Sequence, residues 1–584
     1  MTTSRIPVPA PDDGHGAPPV TLVPADPGTV PTDPLAKAAG EPKEHHEARL
    51  AAQVEELLDV SAYVEAFGAS VIPAYRRGIA DRELPADTGA ARSLIPPGTA
   101  AVRDFSGLAP RIPDLVAERC VGCMACVTAC PDSAILGIAV PEADLPGRIA
   151  AFAAGERDPE RATTTATAHF TRTTKFAEVP ARRGDAPASF GIFVEPVHCK
   201  GCAECVEVCA ALGHSALVMT EKVADEGTGE GTLERAARDM RLFRALPPTP
   251  PAYRNEKVLA DLMLGEHAFG YVGGAGSCSG CGEATAIRML VAATLQIHGP
   301  RSMGIVAATG CTTVYGSTYP FNPYLVPWTN SLFENAPADA LGIRARWDQA
   351  GHAERRLWVL GGDGGMYDIG FQSLSRMVAA GADIKVLVLD TQAYSNTGGQ
   401  ASTASFGGQV TKLSAFGTQL HGRDERRKEL ARIILAHGEV YVAQTTPAHI
   451  NHFYRAVLEA NSHPGPAVIV AYTPCQPEHG IADDAANRQA RLAVESRAFP
   501  LFTYDPRRGP RLRERLSLQG NPALREDWAA LPDGDPLDFL AFARTEGRFA
   551  AHFGPDGAPS AELVATQAER LESWHWLQEV SGIR

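Results

Sequence analysis

The sequence has little cysteine for its length, no long apolar run and no excess of positive charge, and each shortage excludes a class of protein. Its 12 cysteines among 584 residues are too few for a secreted domain cross-linked by disulfides. No apolar run approaches the roughly 18 residues needed to span a bilayer, and the N-terminus lacks the apolar stretch of a secretory signal. A net charge of −14 argues against nucleic-acid binding, which needs a basic face. We therefore expect a soluble, globular, cytoplasmic protein.

The composition divides the chain into four predicted regions. Residues 1–45 are rich in Pro, Asp and Gly without periodicity, which predicts a disordered tail. Residues 46–115 contain several prolines and predict a linking or wrapping segment. Residues 116–240 hold two cysteine-rich runs, and residues 241–584 alternate short apolar runs with amphipathic stretches.

The apolar runs of the last region predict a parallel sheet. Five of them have the length and composition of strands buried on both faces: Met303–Ala308, Leu357–Gly361, Lys385–Leu389, Tyr441–Gln444 and Ala467–Tyr472. Between them, apolar residues recur at helical spacing, as at Ile287, Leu290 and Val291. Strands that alternate with helices predict a doubly wound α/β fold, in which ligands bind beyond the carboxyl ends of the strands.

Two cysteine runs share the spacing C-x2-C-x2-C-x3-C. They are Cys120, Cys123, Cys126 and Cys130, and Cys199, Cys202, Cys205 and Cys209. In two-cluster ferredoxins the first three thiolates of a run hold one 4Fe–4S cluster and the fourth ligates the other cluster. The spacing therefore predicts a bacterial-type two-cluster ferredoxin-like α+β domain at 116–240, in which Cys209 completes the first cluster and Cys130 the second. Zinc is the alternative, but two quartets of identical spacing do not favour it. Ala210 replaces the proline expected after the last cysteine, which predicts a looser turn.

The other four cysteines are Cys278, Cys281, Cys311 and Cys475. The first two lie in GSCSGCGE at the start of a predicted helix, and the other two each follow a predicted strand. A third cluster at this edge of the sheet would use all four. Two alternatives stay open from the residues alone, a thioredoxin-like redox pair at Cys278 and Cys281, and buried unreactive cysteines after the strands.

A Gly-rich turn with one carboxylate follows the second of the apolar runs. In Gly361–Gly365 (GGDGG), glycine lets backbone N–H groups approach an anion, and the carboxylate of Asp363 suits Mg²⁺. The next run leads into a second polar loop, which would bring the Thr391 hydroxyl and the Ala393 carbonyl beside Asp363. The two loops together indicate a magnesium–diphosphate site, whereas GGDGG alone also fits a plain tight turn.

Six segments, read in order, resemble one family closely. They are GSCSGCGE, ATGCTTVYGS, PWTNSLFEN, GGDGGMYDIG, DTQAYSNTGGQAS and AYTPC. With the upstream cysteine runs they are similar to the C-terminal part of pyruvate:ferredoxin (flavodoxin) oxidoreductase, one of the 2-oxoacid:ferredoxin oxidoreductases, over about residues 105–506. The resemblance implies a thiamine-diphosphate-binding domain at 241–584 and a third 4Fe–4S cluster held by the last four cysteines.

The resemblance also implies roles for particular residues. Glu283 and Cys311 would contact thiamine diphosphate, and Asp363, Thr391 and Ala393 would bind Mg²⁺. Asn396 would direct its amide at the substrate carbonyl, which makes it the predicted catalytic residue. Two loops would line the diphosphate end of the cofactor: Gly362, Asp363, Gly364, Gly365, Thr391, Gln392, Ala393, Tyr394, Ser395 and Asn396. The chain departs from the family at Gly365, where a bulky aromatic is frequent, and at Ala393, where a larger aliphatic is usual.

The implied activity is the oxidative decarboxylation of a 2-oxoacid, with pyruvate expected first. The acyl group would pass to coenzyme A, and the electrons would pass through three clusters to ferredoxin or flavodoxin. No residues match the family's pyrimidine-binding and coenzyme-A-binding domains, so we expect a second subunit to supply them. The alternatives are a subunit acting on 2-oxoglutarate or another 2-oxoacid, and a non-catalytic electron-transfer module. His479 is interpreted as a surface or packing histidine.

Overall fold

The computed structural model describes residues 60–84, 94–224, 230–264, 270–414, 422–531 and 534–584. The chain divides into two compact units, one of Met1–Pro73 with Leu84–Arg92 and one of Ala74–Glu83 with Ser93–Arg584. The predicted tail at 1–45 lies outside the described residues, as does most of the first unit. The second unit contains both the cysteine-rich region and the predicted sheet.

Fifteen strands form among the described residues. In chain order they are β1 Arg111–Leu115, β2 Ile135–Pro141, β3 Thr171–Arg172, β4 Ala188–Val194, β5 Leu217–Glu221, β6 Met303–Ala307, β7 Trp328–Asn330, β8 Arg356–Gly362, β9 Ile384–Asp390, β10 Tyr441–Thr445, β11 Ala467–Tyr472, β12 Phe502–Tyr504, β13 Leu516–Ser517, β14 Ala529–Ala530 and β15 Pro536–Leu537. The five apolar runs correspond to β6, β8, β9, β10 and β11, so the predicted strands are confirmed to within one residue at each end.

The helices of eight residues or more pack around these strands. They are Leu145–Ala153, Pro159–Ala168, Glu204–Ala211, Thr232–Ala245, Gly282–His298, Ala336–Gln349, Phe371–Ala379, Ile450–Ser462, Ala486–Glu495 and Ala561–Ser581. Shorter α-helices are Val60–Ala66, Ile72–Arg76, Ala80–Glu83, Ala125–Ala129, Val179–Arg183, Leu259–Leu262, Cys311–Ser317, Leu430–Leu435, Gln476–His479, Leu512–Arg515 and Phe539–Ala543. No described helix combines the length and apolarity needed to cross a membrane.

The main sheet has eight strands in the order β13-β12-β10-β11-β9-β8-β6-β7. The six neighbouring strands β10, β11, β9, β8, β6 and β7 all pair in parallel. At the β10 edge, β12 pairs antiparallel with β10, and β13 pairs antiparallel with β12. Helices cover both faces, since one apolar core contains Leu290 and Phe453 and another contains Ala340 and Leu374. The predicted doubly wound parallel sheet is confirmed, with two antiparallel edge strands that the sequence pattern did not indicate.

This topology brings four predicted site residues to one edge of the sheet. The strands β11, β9, β8 and β6 are consecutive neighbours. Just beyond their carboxyl ends lie, in the same order, Cys475, Thr391, Asp363 and Cys311. The site therefore forms where parallel strands end, as expected for open α/β sheets.

The cysteine-rich region forms two small antiparallel sheets. β1 pairs with β5, and β2, β4 and β3 form a three-stranded sheet. Because β1 pairs with β5, residues 111–115 are part of the ferredoxin-like fold, although the composition placed them in the linking segment. The proline-rich composition conceals this strand, because its partner lies about a hundred residues away.

Candidate active site

The eight cysteines of the two runs gather into two groups that exchange their last members. Burial raises the pKa of Cys126, and the nearby thiols of Cys120, Cys123 and Cys209 raise it further. The same four cysteines line one small cavity. Cys209 therefore lies with the first run, as the ferredoxin rule requires.

The second group shows the reciprocal exchange. Burial raises the pKa of Cys205, and the nearby thiols of Cys202, Cys130 and Cys199 add to the effect. Among the described residues, no three His, Cys, Asp or Glu side chains are placed to hold a single metal ion. A cubane has one cysteine on each of four irons, so its ligands stand farther apart than those of a single ion.

The two cysteine loops repeat the same backbone geometry. Gly122 and Gly201 have φ values of 72° and 69°, and Met124 and Ala203 have φ values of 64° and 69°. A backbone N–H donates to the fourth sulfur of each run, from Ala134 to Cys130 Sγ at 3.3 Å and from Ala216 to Cys209 Sγ at 3.2 Å. N–H···S contacts of this kind stabilise sulfur ligands of a cluster.

At Ala210, where a looser turn was expected, the chain instead continues in a longer helix. In the first run the helix Ala125–Ala129 ends just before Pro131, which cannot continue it. In the second run Ala210 supplies an N–H, and the helix Glu204–Ala211 extends past the last cysteine.

The last four cysteines meet at the carboxyl edge of the main sheet. Burial raises the pKa of Cys311, and nearby Glu283, Cys281, Cys475 and Cys278 raise it further. The third predicted group is thus assembled from a helix start and two strand ends.

Two glycines permit this close approach. A Cβ at Gly282 would lie 2.8 Å from the Pro474 carbonyl oxygen, and one at Gly280 would lie 1.9 Å from the Asp483 carbonyl oxygen. The Gln476 amide also donates to the Gly280 carbonyl. Glycine is therefore required where the Cys278–Cys281 loop packs on the segment that carries Cys475.

The predicted magnesium ligands lie together in the buried loops after β8 and β9. The Thr391 hydroxyl is 3.0 Å from both Asp363 Oδ1 and the Ala393 carbonyl oxygen. The Ser402 hydroxyl donates to Asp363 Oδ2. Burial, and then the charge of Asp390, raise the pKa of Asp363 well above its usual range. A divalent cation would offset this cost, and the oxygen donors suit Mg²⁺.

A cavity of about 280 Å³ opens beside these ligands and the third cysteine group. It is lined by eleven of the twelve predicted cofactor-binding residues: Glu283, Cys311, Gly362, Asp363, Gly364, Gly365, Thr391, Ala393, Tyr394, Ser395 and Asn396. Gln392 is the exception, because its N–H donates to Asp390 Oδ1 at 3.1 Å and its buried carbonyl accepts from Ser405. Phe333 and Ile369 also line the cavity and were not predicted from the sequence.

Glu283 provides a test of whether the cavity fits the implied cofactor. It is 5% exposed, and its Oε2 has no hydrogen-bond partner among the described residues. Burial raises the pKa of Glu283 to about 8. A buried carboxyl without a partner is costly, so a nitrogen-rich cofactor in this cavity would satisfy an atom that the protein leaves unpaired. The residues present fit the group.

The departure at Gly365 is accounted for by Phe333. A Cβ at Gly365 would lie 3.2 Å from the Phe333 carbonyl oxygen and 3.4 Å from the Ala308 side chain. The segment that carries Phe333 therefore occupies the space that a larger residue would need. The Ala393 side chain is buried, and its carbonyl oxygen faces Thr391. The smaller side chain therefore leaves this predicted Mg²⁺-binding oxygen in place.

His479 packs against the loop after β9 that carries Thr391, and it is not a surface residue. It is fully buried, and its Nε2–H donates to the Thr391 carbonyl at 2.8 Å. Burial lowers the pKa of His479 well below its usual value, so the ring is neutral. Its sequence signal was weak, since a single histidine after a strand gives no spacing pattern.

Comparison with known proteins supports these observations. The family "Thiamine pyrophosphate enzyme, C-terminal TPP binding domain" matches residues 308–471, and "4Fe-4S binding domain" matches residues 113–136. The chain is 30% identical over 488 residues to "Probable pyruvate-flavodoxin oxidoreductase" of Escherichia coli, covering 71% of this chain and 38% of that protein. It is 28% identical over 556 residues to "Pyruvate-flavodoxin oxidoreductase" of Rhodospirillum rubrum, covering 80% of this chain and 41% of that protein.

A shorter relative decides the family. The chain is 36% identical over 258 residues to "Pyruvate synthase subunit PorB" of Methanocaldococcus jannaschii, which covers 41% of this chain and 85% of that protein. This chain belongs to the pyruvate:ferredoxin (flavodoxin) oxidoreductase family. It spans about two fifths of the length of the longer oxidoreductases of the family that it matches.

Membership in this oxidoreductase family explains the pairing of two kinds of site in one compact unit. The thiamine-pyrophosphate family match covers the strand ends that carry Cys311, Asp363 and Thr391. The cluster-binding match covers the first cysteine run. The second run, Cys278 and Cys281 lie between these matches, and Cys475 lies after them. The ligand roles of all these cysteines, and that of Cys311 within the match, stay predictions.

Proposed function

We propose that this chain is the cluster-carrying, thiamine-diphosphate-binding part of a 2-oxoacid:ferredoxin oxidoreductase, with pyruvate as the expected substrate. The observation that carries the proposal is the cavity shared by Asp363, Glu283 and Cys311. Asp363, a carboxylate suited to Mg²⁺, and Cys311 of the third group both line this cavity. A thiamine enzyme that passes electrons singly needs this proximity.

The cofactor supplies the chemistry, and the chain supplies its placement. Thiamine diphosphate, when bound, would provide the carbanion that adds to a 2-oxoacid and the electron sink that accepts the pair left by CO₂. Asp363, Thr391 and the Ala393 carbonyl would hold Mg²⁺ at the diphosphate end. Asn396, which lines the same cavity, would donate its amide to the substrate carbonyl oxygen.

The three cysteine groups support an ordered electron route through three 4Fe–4S clusters. The third group adjoins the cavity through Cys311. Cys205 of the second group lies close enough to Cys126 of the first for their charges to interact. At the far end Cys123 is exposed, and Val121 beside it is 42% exposed. Ferredoxin or flavodoxin would accept electrons at this exposed end.

Exposed apolar side chains at the rim of the cavity support the proposal that a second subunit covers it. Ile369 lines the cavity and is 62% exposed, and Leu332, next to the cavity residue Phe333, is 57% exposed. Large apolar side chains that flank a functional cavity favour coverage by another protein surface. The partner would supply the pyrimidine-binding and coenzyme-A-binding domains.

Turnover by the co-purified complex tests the proposal. Purified without oxygen, the complex should reduce a viologen dye only when thiamine diphosphate, a 2-oxoacid and coenzyme A are all present. A set of 2-oxoacids that includes pyruvate and 2-oxoglutarate assigns the substrate. Dye reduction that does not depend on any 2-oxoacid would show the chain to be an electron-transfer module instead.

A further inference from the structure

Lys200 is a buried lysine with a complete set of acceptors. Its side chain is 2% exposed, and its ammonium group donates to Asp132 Oδ1 at 2.6 Å. It also donates to the carbonyl oxygens of Ala275 at 2.9 Å and Ser277 at 2.7 Å. The three N–H groups of a lysine are therefore all used.

These contacts join the second cysteine group to the third. Lys200 directly follows Cys199, and Asp132 lies two residues after Cys130, so both ends of the ion pair are fixed to ligand loops of the second group. Ser277 directly precedes Cys278 of the third group. A single ammonium group thus connects the ligand loops of two groups between which the proposed electron route passes.

The backbone at this junction is packed without spare room. A Cβ at Gly273 would lie 2.2 Å from the His198 ring and 2.8 Å from the Asp132 carbonyl oxygen. The Ser133 hydroxyl donates to the Tyr271 carbonyl at 3.1 Å. The segment 271–277, which leads to Cys278, therefore packs against residues next to the ligands of the second group, namely Asp132 and Ser133 after Cys130 and His198 before Cys199.

The ion pair also sets the charge beside the second group. The Lys200 ammonium and the Asp132 carboxylate are 2.6 Å apart, and their side chains are only 2% and 3% exposed, so solvent screens neither charge. The Asp132 carboxylate, two residues after Cys130, therefore disfavours additional negative charge at this group, and the Lys200 ammonium offsets it. A buried ion pair is weak evidence for stability, and this pair is distinguished by its position between two ligand loops.

We propose that the Lys200–Asp132 pair is the positioning element of electron transfer between the third and second clusters. The contacts of the Lys200 ammonium fix the distance between the two clusters. Its charge also neutralises the Asp132 carboxylate beside the second cluster, which accepts the electron. With both clusters bound, one electron would pass from the third cluster to the second, so that the third would lose one electron and the second would gain one, and no bond or proton would be exchanged. This inference rests on the proposed function.

Asp132→Asn gives the sharpest test, because asparagine keeps the shape and an acceptor oxygen while leaving the Lys200 charge unbalanced. Net charge near a cluster sets its reduction potential. In the anaerobically purified complex, a redox titration followed by electron paramagnetic resonance should show a more easily reduced second cluster. We expect a tenfold shift in its reduction equilibrium, which is about 59 mV for one electron. An unchanged or lowered potential would overturn the proposal.

Lys200→Met tests the geometric part against a matched control. Lys385 is also buried, is 1% exposed, and donates to the carbonyl oxygens of His463 and Gly465 at 2.6 and 2.7 Å, but it lies at the opposite end of β9 from the site. Lys200→Met should weaken the magnetic interaction between the reduced second and third clusters, and Lys385→Met should leave it as in the wild type. An interaction unchanged in Lys200→Met would contradict the proposal.

The Asp132→Asn result decides the proposal alone if Lys200→Met does not fold. Both the titration of Asp132→Asn and the measurement of the magnetic interaction in Lys200→Met use an electrochemical reductant and need no 2-oxoacid. They therefore remain decisive even if the complex fails to oxidise any 2-oxoacid, and that failure would count against the proposed function only.

Discussion

Asp363→Asn separates the binding role of this carboxylate from its effect on folding. Asp363 is 1% exposed and is the one carboxylate among the three predicted Mg²⁺ ligands, since Thr391 offers a hydroxyl and Ala393 a carbonyl. Its loss removes the only negative charge of the predicted ligand set. We expect the affinity for thiamine diphosphate with Mg²⁺ to fall at least a hundredfold, or about 2.7 kcal/mol.

The same substitution should raise the stability of the ligand-free protein. Burial and the charge of Asp390 raise the pKa of Asp363, so the folded chain holds a carboxylate at a cost. Asparagine keeps an oxygen for the Thr391 hydroxyl and removes the charge. An increase of about 1 kcal/mol is expected, because the carboxylate has hydrogen-bond donors but no cation without ligand, and removing its charge relieves part of the desolvation cost.

Calorimetric titration of Mg²⁺–thiamine diphosphate into the anaerobic complex measures the affinity, and thermal unfolding without ligand measures the stability. Asp538→Asn is the matched control. Asp538 caps the helix Phe539–Ala543 by accepting from the Ala541 N–H, and asparagine caps a helix equally well. The control should change neither quantity, and an Asp363→Asn affinity within threefold of the wild type would refute the reasoning.

Three further outcomes follow from the described geometry. Cys209→Ser should alter the same cluster signal as Cys120→Ser, and a change matching that of Cys199→Ser would contradict the exchange of fourth ligands. Gly364→Ala should weaken thiamine diphosphate binding at least tenfold, or about 1.4 kcal/mol, because the added Cβ would lie 2.7 Å from the Tyr394 ring. The control Gly342→Ala, at an open helical position, should leave binding unchanged. Burial lowers the pKa of His452 to about 3, so the unfolded chain binds a proton that the folded chain does not as the pH falls below about 6.5. Chemical denaturation should show the wild type losing about 1 kcal/mol more than His452→Gln between pH 7 and 5.5, and equal losses would contradict this assignment.

The sequence predicted those parts of the fold that leave a local or periodic pattern. The runs at β6, β8, β9, β10 and β11 are apolar throughout because both faces of a parallel sheet are covered. The strands β12 and β13 are short and lie at an edge, so their composition differs little from that of a loop. β1 was assigned to the linking segment because its pairing with β5 cannot be read from nearby residues.

The sequence predicted those parts of the candidate site whose residue spacing along the chain follows from their positions in the fold. The fourth cysteine of each run follows a known exchange rule, and the cavity collects residues from loops that follow neighbouring strands. Ser402, which donates to Asp363, lies in a long loop without a motif of its own. His479 reaches the Thr391 carbonyl only through the tertiary fold. Contacts of this kind depend on how distant segments pack and leave no pattern in the sequence.

Iron content and cofactor binding, measured on one oxygen-free preparation, test the central claim most directly. Three cubanes beside a thiamine diphosphate site predict about twelve irons and as many acid-labile sulfides per chain, since each 4Fe–4S cluster holds four of each. They also predict that adding a 2-oxoacid to the oxidised complex produces the signals of reduced clusters. About eight irons, or twelve irons that no 2-oxoacid reduces in the presence of bound thiamine diphosphate, would contradict the account.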